Sequence, residues 1–76
     1  MRTVREDAKT YQALNDYERW EFTERLRSIL IKLQVQEYKY GNNLGRALET
    51  RNGVRRILRL LHEIEIIDHN DYVETL

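Results

Sequence analysis

The chain has 76 residues, no Cys, no Pro and only three Gly, and its 13 basic residues balance its 13 acidic ones. A chain this short forms one domain at most, here 1–76. Its stability must come from packed helices, from oligomerisation or from a partner. Without Cys there is no disulfide, thiolate zinc site or iron–sulfur ligation, which leaves His62 and His69 as the only imidazoles. No global field draws it to nucleic acid or an anionic membrane, and no run approaches the roughly 20 apolar residues of a membrane span.

In chain order, Thr3 with Glu6 reads as a capping box, followed by Val4, Ala8 and Tyr11 at helical spacing. Asn15 with Glu18 repeats that signal and either caps a new helix or bends the first. From Asp16 to about Tyr40 the chain reads as one long helix with two apolar stripes. Phe22, Leu26, Ile29, Leu30, Leu33 and Tyr40 form one, and Tyr17, Trp20, Ile31, Val35 and Tyr38 fall nearly opposite. A helix in a small bundle needs only one such face. The pattern therefore predicts a central helix covered on both sides, with the alternative that the second face is reserved for a partner.

Gly41, Asn42 and Asn43 end the long helix, and Asn43 is expected to cap a short helix through Leu44, Ala47 and Leu48. Asn52-Gly53 is read as a turn with Gly53 in the left-handed region. A last helix follows from Val54 to about Ile67. Its expected core stripe is Val54, Ile57, Leu58, Leu61 and Ile64, widened by Leu60 and Ile67. Asp68 or Asn70 is expected to cap a terminal turn through Tyr72 and Val73.

Charge is unevenly placed. From Lys39 to Arg59 six basic residues face one acid, and from Leu60 to Leu76 five acids stand without a Lys or Arg. Basic-then-acidic order opposes the macrodipole of a helix over 54–67, at a cost of a few tenths to about 1 kcal/mol. It suits a head-to-tail contact with a second copy, or two different partners.

Residues arranged for catalysis are absent. The glycines match no phosphate-binding loop. Ser28, the only Ser, lies mid-helix rather than on the turn that usually presents a nucleophile. Asp68-His69-Asn70-Asp71 reads as a turn rather than a metal site, and no carboxylate pair sits in an apolar run that would raise a pKa. The reading is therefore no enzyme, no catalytic residue, no metal and no cofactor. Arg51, Arg55 and Arg59, four apart with Arg56 beside them, line one helix edge. After a short helix and an Asn-Gly turn they outline a helix-turn-helix. Glu63 and Glu65 further along would repel a phosphate backbone, so the DNA reading ranks second.

The stretch Leu44-x-x-Ala47-Leu48-x-Thr50-x-x-Gly53-Val54-Arg55-Arg56-Ile57-Leu58-x-x-Leu61 resembles a short motif in small proteins encoded within tailed-phage structural gene clusters. There an apolar helix, a Thr-x-x-Gly turn and an Arg-Arg-apolar-Leu helix follow one another. The resemblance implies a virion-associated or assembly accessory protein without enzyme activity, located in the host cytoplasm or the virion.

Together these observations predict an all-α bundle of about three helices with short terminal turns. The expected role is a non-catalytic interaction protein whose partners are copies of itself or other subunits of an assembly. Tyr17, Trp20, Ile31, Val35, Tyr38, Arg51, Arg55, Arg56 and Arg59 are the expected contact residues. The alternatives are a small helix-turn-helix regulator of DNA and a phage-type inhibitor docking on a host enzyme; no membrane contact is expected.

Overall fold

The computed structural model describes residues 3–39 and 44–76, all-α as expected: α1 (Val4–Gln12), α2 (Asp16–Lys39) and α3 (Leu44–Thr75). Tyr40 and the Gly41–Asn43 cap signals lie outside the described residues. Both N-terminal signals form. The Thr3 hydroxyl accepts from the Glu6 amide at 3.1 Å. At Asn15 the box is reciprocal: the Glu18 amide donates to Asn15 Oδ1 at 2.9 Å and the Asn15 amide to Glu18 Oε1 at 3.1 Å. Such a closed box starts a new helix rather than bending an old one, so residues 13–15 are a tight connection between α1 and α2.

Downstream, three expectations are corrected by one fact. α3 is a single helix that runs through Asn52-Gly53 and on to Thr75. There is no short helix followed by a turn, Gly53 does not have a positive φ, and neither Asp68 nor Asn70 starts a terminal turn. Packing overrides the local breaking tendency of Asn-Gly, because α2 passes close to α3 at Gly53. A Cβ on Gly53 would stand 3.2 Å from Leu33 Cδ1. Helix propensity opposes Gly here by only about 1 kcal/mol, which flanking burial outweighs.

α2 and α3 are antiparallel, tied by Arg19 to Asp68 and Asp71 at one end and by Arg51 to Glu37 at the other. α1 lies alongside the C-terminal half of α3, with Tyr11 against Asp68 and Val4 in a groove with Arg55, Arg56 and Arg59. α3 is thus the element on which both other helices pack, and the sandwiched central helix predicted for α2 is not found. No residue of α2 is fully buried. Phe22, Leu26, Leu30 and Leu33 are half-buried, and Ile29 is 45% exposed.

The core is Tyr11, Leu60, Ile64 and Ile67, with Val4, Ala8, Phe22 and Leu26 packed against it. Leu60 and Ile67, expected at the margin of the α3 stripe, are central, whereas Leu58 is 48% exposed. The reason is α1. Its Val4, Ala8 and Tyr11 pack in one cluster with Leu60 and Ile67. Ala47 and Thr50 are buried nearer the start of α3, where the Thr50 hydroxyl is satisfied by the Arg46 carbonyl at 2.8 Å.

Because Gly53 is helical and faces only the tip of a Leu side chain, Gly53→Ala should stabilise the protein by up to about 1 kcal/mol. Gly53→Val should instead destabilise by about 1–3 kcal/mol through crowding against Leu33. Urea unfolding of the two variants checks this; a left-handed Gly53 would make Ala destabilising as well.

Candidate interaction surface

One consequence of α3 taking the central place is that α2 turns its second stripe outward. Tyr17, Trp20, Ile31, Val35 and Tyr38 are each at least 60% exposed, and Tyr38 reaches 93%. Seven-residue spacing (Tyr17, Glu24, Ile31, Tyr38) keeps them on one line of the helix. The line has an aromatic end, where the Tyr17 and Trp20 rings lie 6.2 Å apart, and an aliphatic end at Ile31, Val35 and Tyr38. Between them sits the Glu24–Arg27 ion pair at 3.4 Å. Scattered exposed apolar residues are ordinary, whereas two clusters of large ones on one helix face make a candidate contact surface.

The orientation of that row is set by a polar clamp that sequence reading missed. Arg19 Nη1 bonds Asp71 Oδ2 at 2.6 Å and Asp68 Oδ1 at 3.3 Å. Its other nitrogens donate to the Leu14 carbonyl at 3.2 Å and the Gln12 carbonyl at 3.1 Å. The guanidinium also stands 4.9 Å from the centroid of the Tyr11 ring. Tyr11, 2% exposed, donates its hydroxyl proton to the Asp68 carboxylate, 2.8 Å from both oxygens. Burial first, and then the hydrogen bond to Asp68 and its negative charge, push the Tyr11 hydroxyl up to about 12, against the opposing charge of Arg19. The signal in the sequence was slight: Asp68 and Asp71 at helical spacing, and a lone Arg within the acidic start of α2.

The four arginines expected at the surface divide. Arg51 bonds Glu37 at 3.2 Å. Arg55, Arg56 and Arg59 make no ion pair among the described residues and line, with Asn52 and Val4, a groove beside the start of α1. They lie well inside α3, beyond the reach of its terminal dipole charges. Without a turn at Gly53 the helix-turn-helix outline is not formed, and the Thr-x-x-Gly segment of the phage-like motif is helical. Two of the five C-terminal acids, Asp68 and Asp71, are engaged by Arg19, which removes them from the head-to-tail pairing expected with a neighbour's arginines. Among the described residues no three His, Cys, Asp or Glu side chains converge as a metal site, and no helix is long and apolar enough to cross a membrane.

Alkaline titration reads the clamp directly. The folded protein keeps the Tyr11 proton until about pH 12, while the unfolded chain loses it near 10. The stability contributed by the Tyr11 hydroxyl is therefore complete below pH 10 and lost as pH rises through about 12. Tyrosinate absorbance should show one late tyrosine that Tyr11→Phe removes, with Tyr17, raised by its hydrogen bond to Glu21, titrating above the ordinary value as well.

No protein-family model, curated protein or solved structure matches the chain, so its role rests on the surface itself.

Proposed function

We propose that the protein is a non-catalytic interaction subunit that docks through the outward face of α2. The observation that carries this reading is the row Tyr17, Trp20, Ile31, Val35 and Tyr38, every member at least 60% exposed on a helix whose other face does the folding. Large aromatic and aliphatic side chains held on a rigid helix lose little entropy on docking and bury much area. The polar groups that converge inside the fold, Tyr11, Arg19, Asp68 and Asp71, satisfy one another. The resemblance of residues 44–61 to small proteins of tailed-phage structural gene clusters supports a narrower version. In it the chain is a virion-associated or assembly accessory subunit, found in the virion or the host cytoplasm. An inhibitor that docks on a host enzyme would use the same face.

A second reading is favoured by Arg55, Arg56 and Arg59, three arginines without a carboxylate partner among the described residues. They would meet nucleic-acid phosphates, with binding that weakens steeply as salt rises.

Trp20 is the only tryptophan, so its emission separates the two readings. It should be red, as for an exposed indole, in dilute protein. Docking through α2 predicts a blue shift on adding protein, whether the chain itself or another structural subunit, and none with duplex DNA. Binding to duplex at physiological salt that is lost on Arg55→Glu, with no shift on adding protein, would replace the first reading by the second.

A further inference from the structure

α2 carries acids and bases in both halves, yet ion pairs with α3 take up the two that break a simple pattern. Arg19, the one base before residue 25, is turned inward to Asp68 and Asp71. Glu37, the one acid after residue 24, is held by Arg51 of α3. What remains on α2 is segregated by sign: Asp16, Glu18, Glu21 and Glu24 come before residue 25, and Arg25, Arg27, Lys32 and Lys39 follow from there on. The macrodipole accounts for Asp16, Glu18 and Lys39, but its influence fades within a turn of each end and does not reach Glu21, Glu24, Arg27 or Lys32. Those four lie along the apolar row, Glu24 and Arg27 within it and Glu21 and Lys32 on one flank.

We infer that the outward face of α2 pairs with the same face of a second copy of this chain, antiparallel, about a two-fold axis near the middle of the helix. This inference rests on the α2 docking face proposed above and names its occupant. Antiparallel pairing sets the acidic stretch of each α2 on the basic stretch of the other, with Glu21 opposite Lys32 of the copy and Glu24 opposite its Arg27. It also brings the Tyr17–Trp20 end against the Ile31–Val35–Tyr38 end, so aromatic rings meet aliphatic side chains instead of water. The Glu24–Arg27 pair, open to solvent within one chain, exchanges partners across the axis at no cost in ion pairs. Parallel pairing sets acid on acid and base on base, which such interfaces avoid. A two-fold contact of one patch with itself is also the commonest form of homo-oligomer.

Because the chain has no Cys, single thiols report the geometry. Sedimentation should show a monomer–dimer equilibrium that Trp20→Ala and Tyr38→Ala weaken. Glu21→Lys should weaken the dimer about tenfold, and Glu21→Lys with Lys32→Glu should recover most of that loss. A short thiol crosslinker should join Ser28→Cys to its own copy but not Asp16→Cys, since the two copies of residue 16 are more than about 30 Å apart along an antiparallel pair. Linking at Asp16→Cys, or a double charge reversal that fails to recover the dimer, overturns the antiparallel pairing. A chain monomeric at every concentration, whose Trp20 emission still shifts with another structural protein, overturns self-pairing while the α2 docking face stands. Dimers indifferent to Trp20→Ala and Tyr38→Ala put the contact elsewhere and overturn both.

Discussion

Arg19 stands where all three helices converge, and much of the architecture depends on what it holds. Its guanidinium takes the terminal carbonyl of α1, a carbonyl of the connection, two carboxylates of α3 and the face of Tyr11. Hydrogen bonds to charged partners contribute more than neutral ones, and here several act on one largely buried side chain. The clamp fixes the rotation of α2 about its own axis on α3. That rotation decides that Phe22, Leu26, Leu30 and Leu33 face inward and Tyr17, Trp20, Ile31, Val35 and Tyr38 face out.

Length then decides how much of α2 can be covered. α1 has 9 residues against the 32 of α3, so a third helix exists along less than half of the molecule. Where α1 is present, Tyr11, Leu60, Ile64 and Ile67 close into a core. Beyond it α2 and α3 form a two-helix hairpin in which the close pass of Leu33 over Gly53 replaces side-chain volume as the means of contact. A small domain built this way has little spare burial. Covering the outward row of α2 with another chain adds apolar area that the monomer cannot bury by itself.

The charge pattern shows the same division of labour between inside and outside. Considered as a string, α2 mixes its signs. Once Arg19 and Glu37 are neutralised by α3, the remaining charges sort by sign along the helix. α3 behaves differently: its acidic end is partly consumed by Arg19, while Arg55, Arg56 and Arg59 stay open around the start of α1. The charges left over thus reside in residues that the fold does not itself use.

The sequence by itself determined the local events. Helix class, the two capping boxes, the extent of α2 and its two opposed stripes follow from periodicity and short-range hydrogen bonding, which neighbouring residues set. It did not determine the fate of Asn52-Gly53, because a propensity cost of about 1 kcal/mol is settled by what packs across the helix, and Leu33 lies 20 residues away. Nor did it tell which helix is central. Two apolar stripes on α2 are compatible with a sandwich, and only the short α1, drawn to α3 by Tyr11 and Asp68, leaves the second stripe uncovered. The clamp was unreadable for the same reason: Tyr11, Arg19, Asp68 and Asp71 are joined over separations that no periodicity spans, so their partnership was decided by the tertiary packing alone.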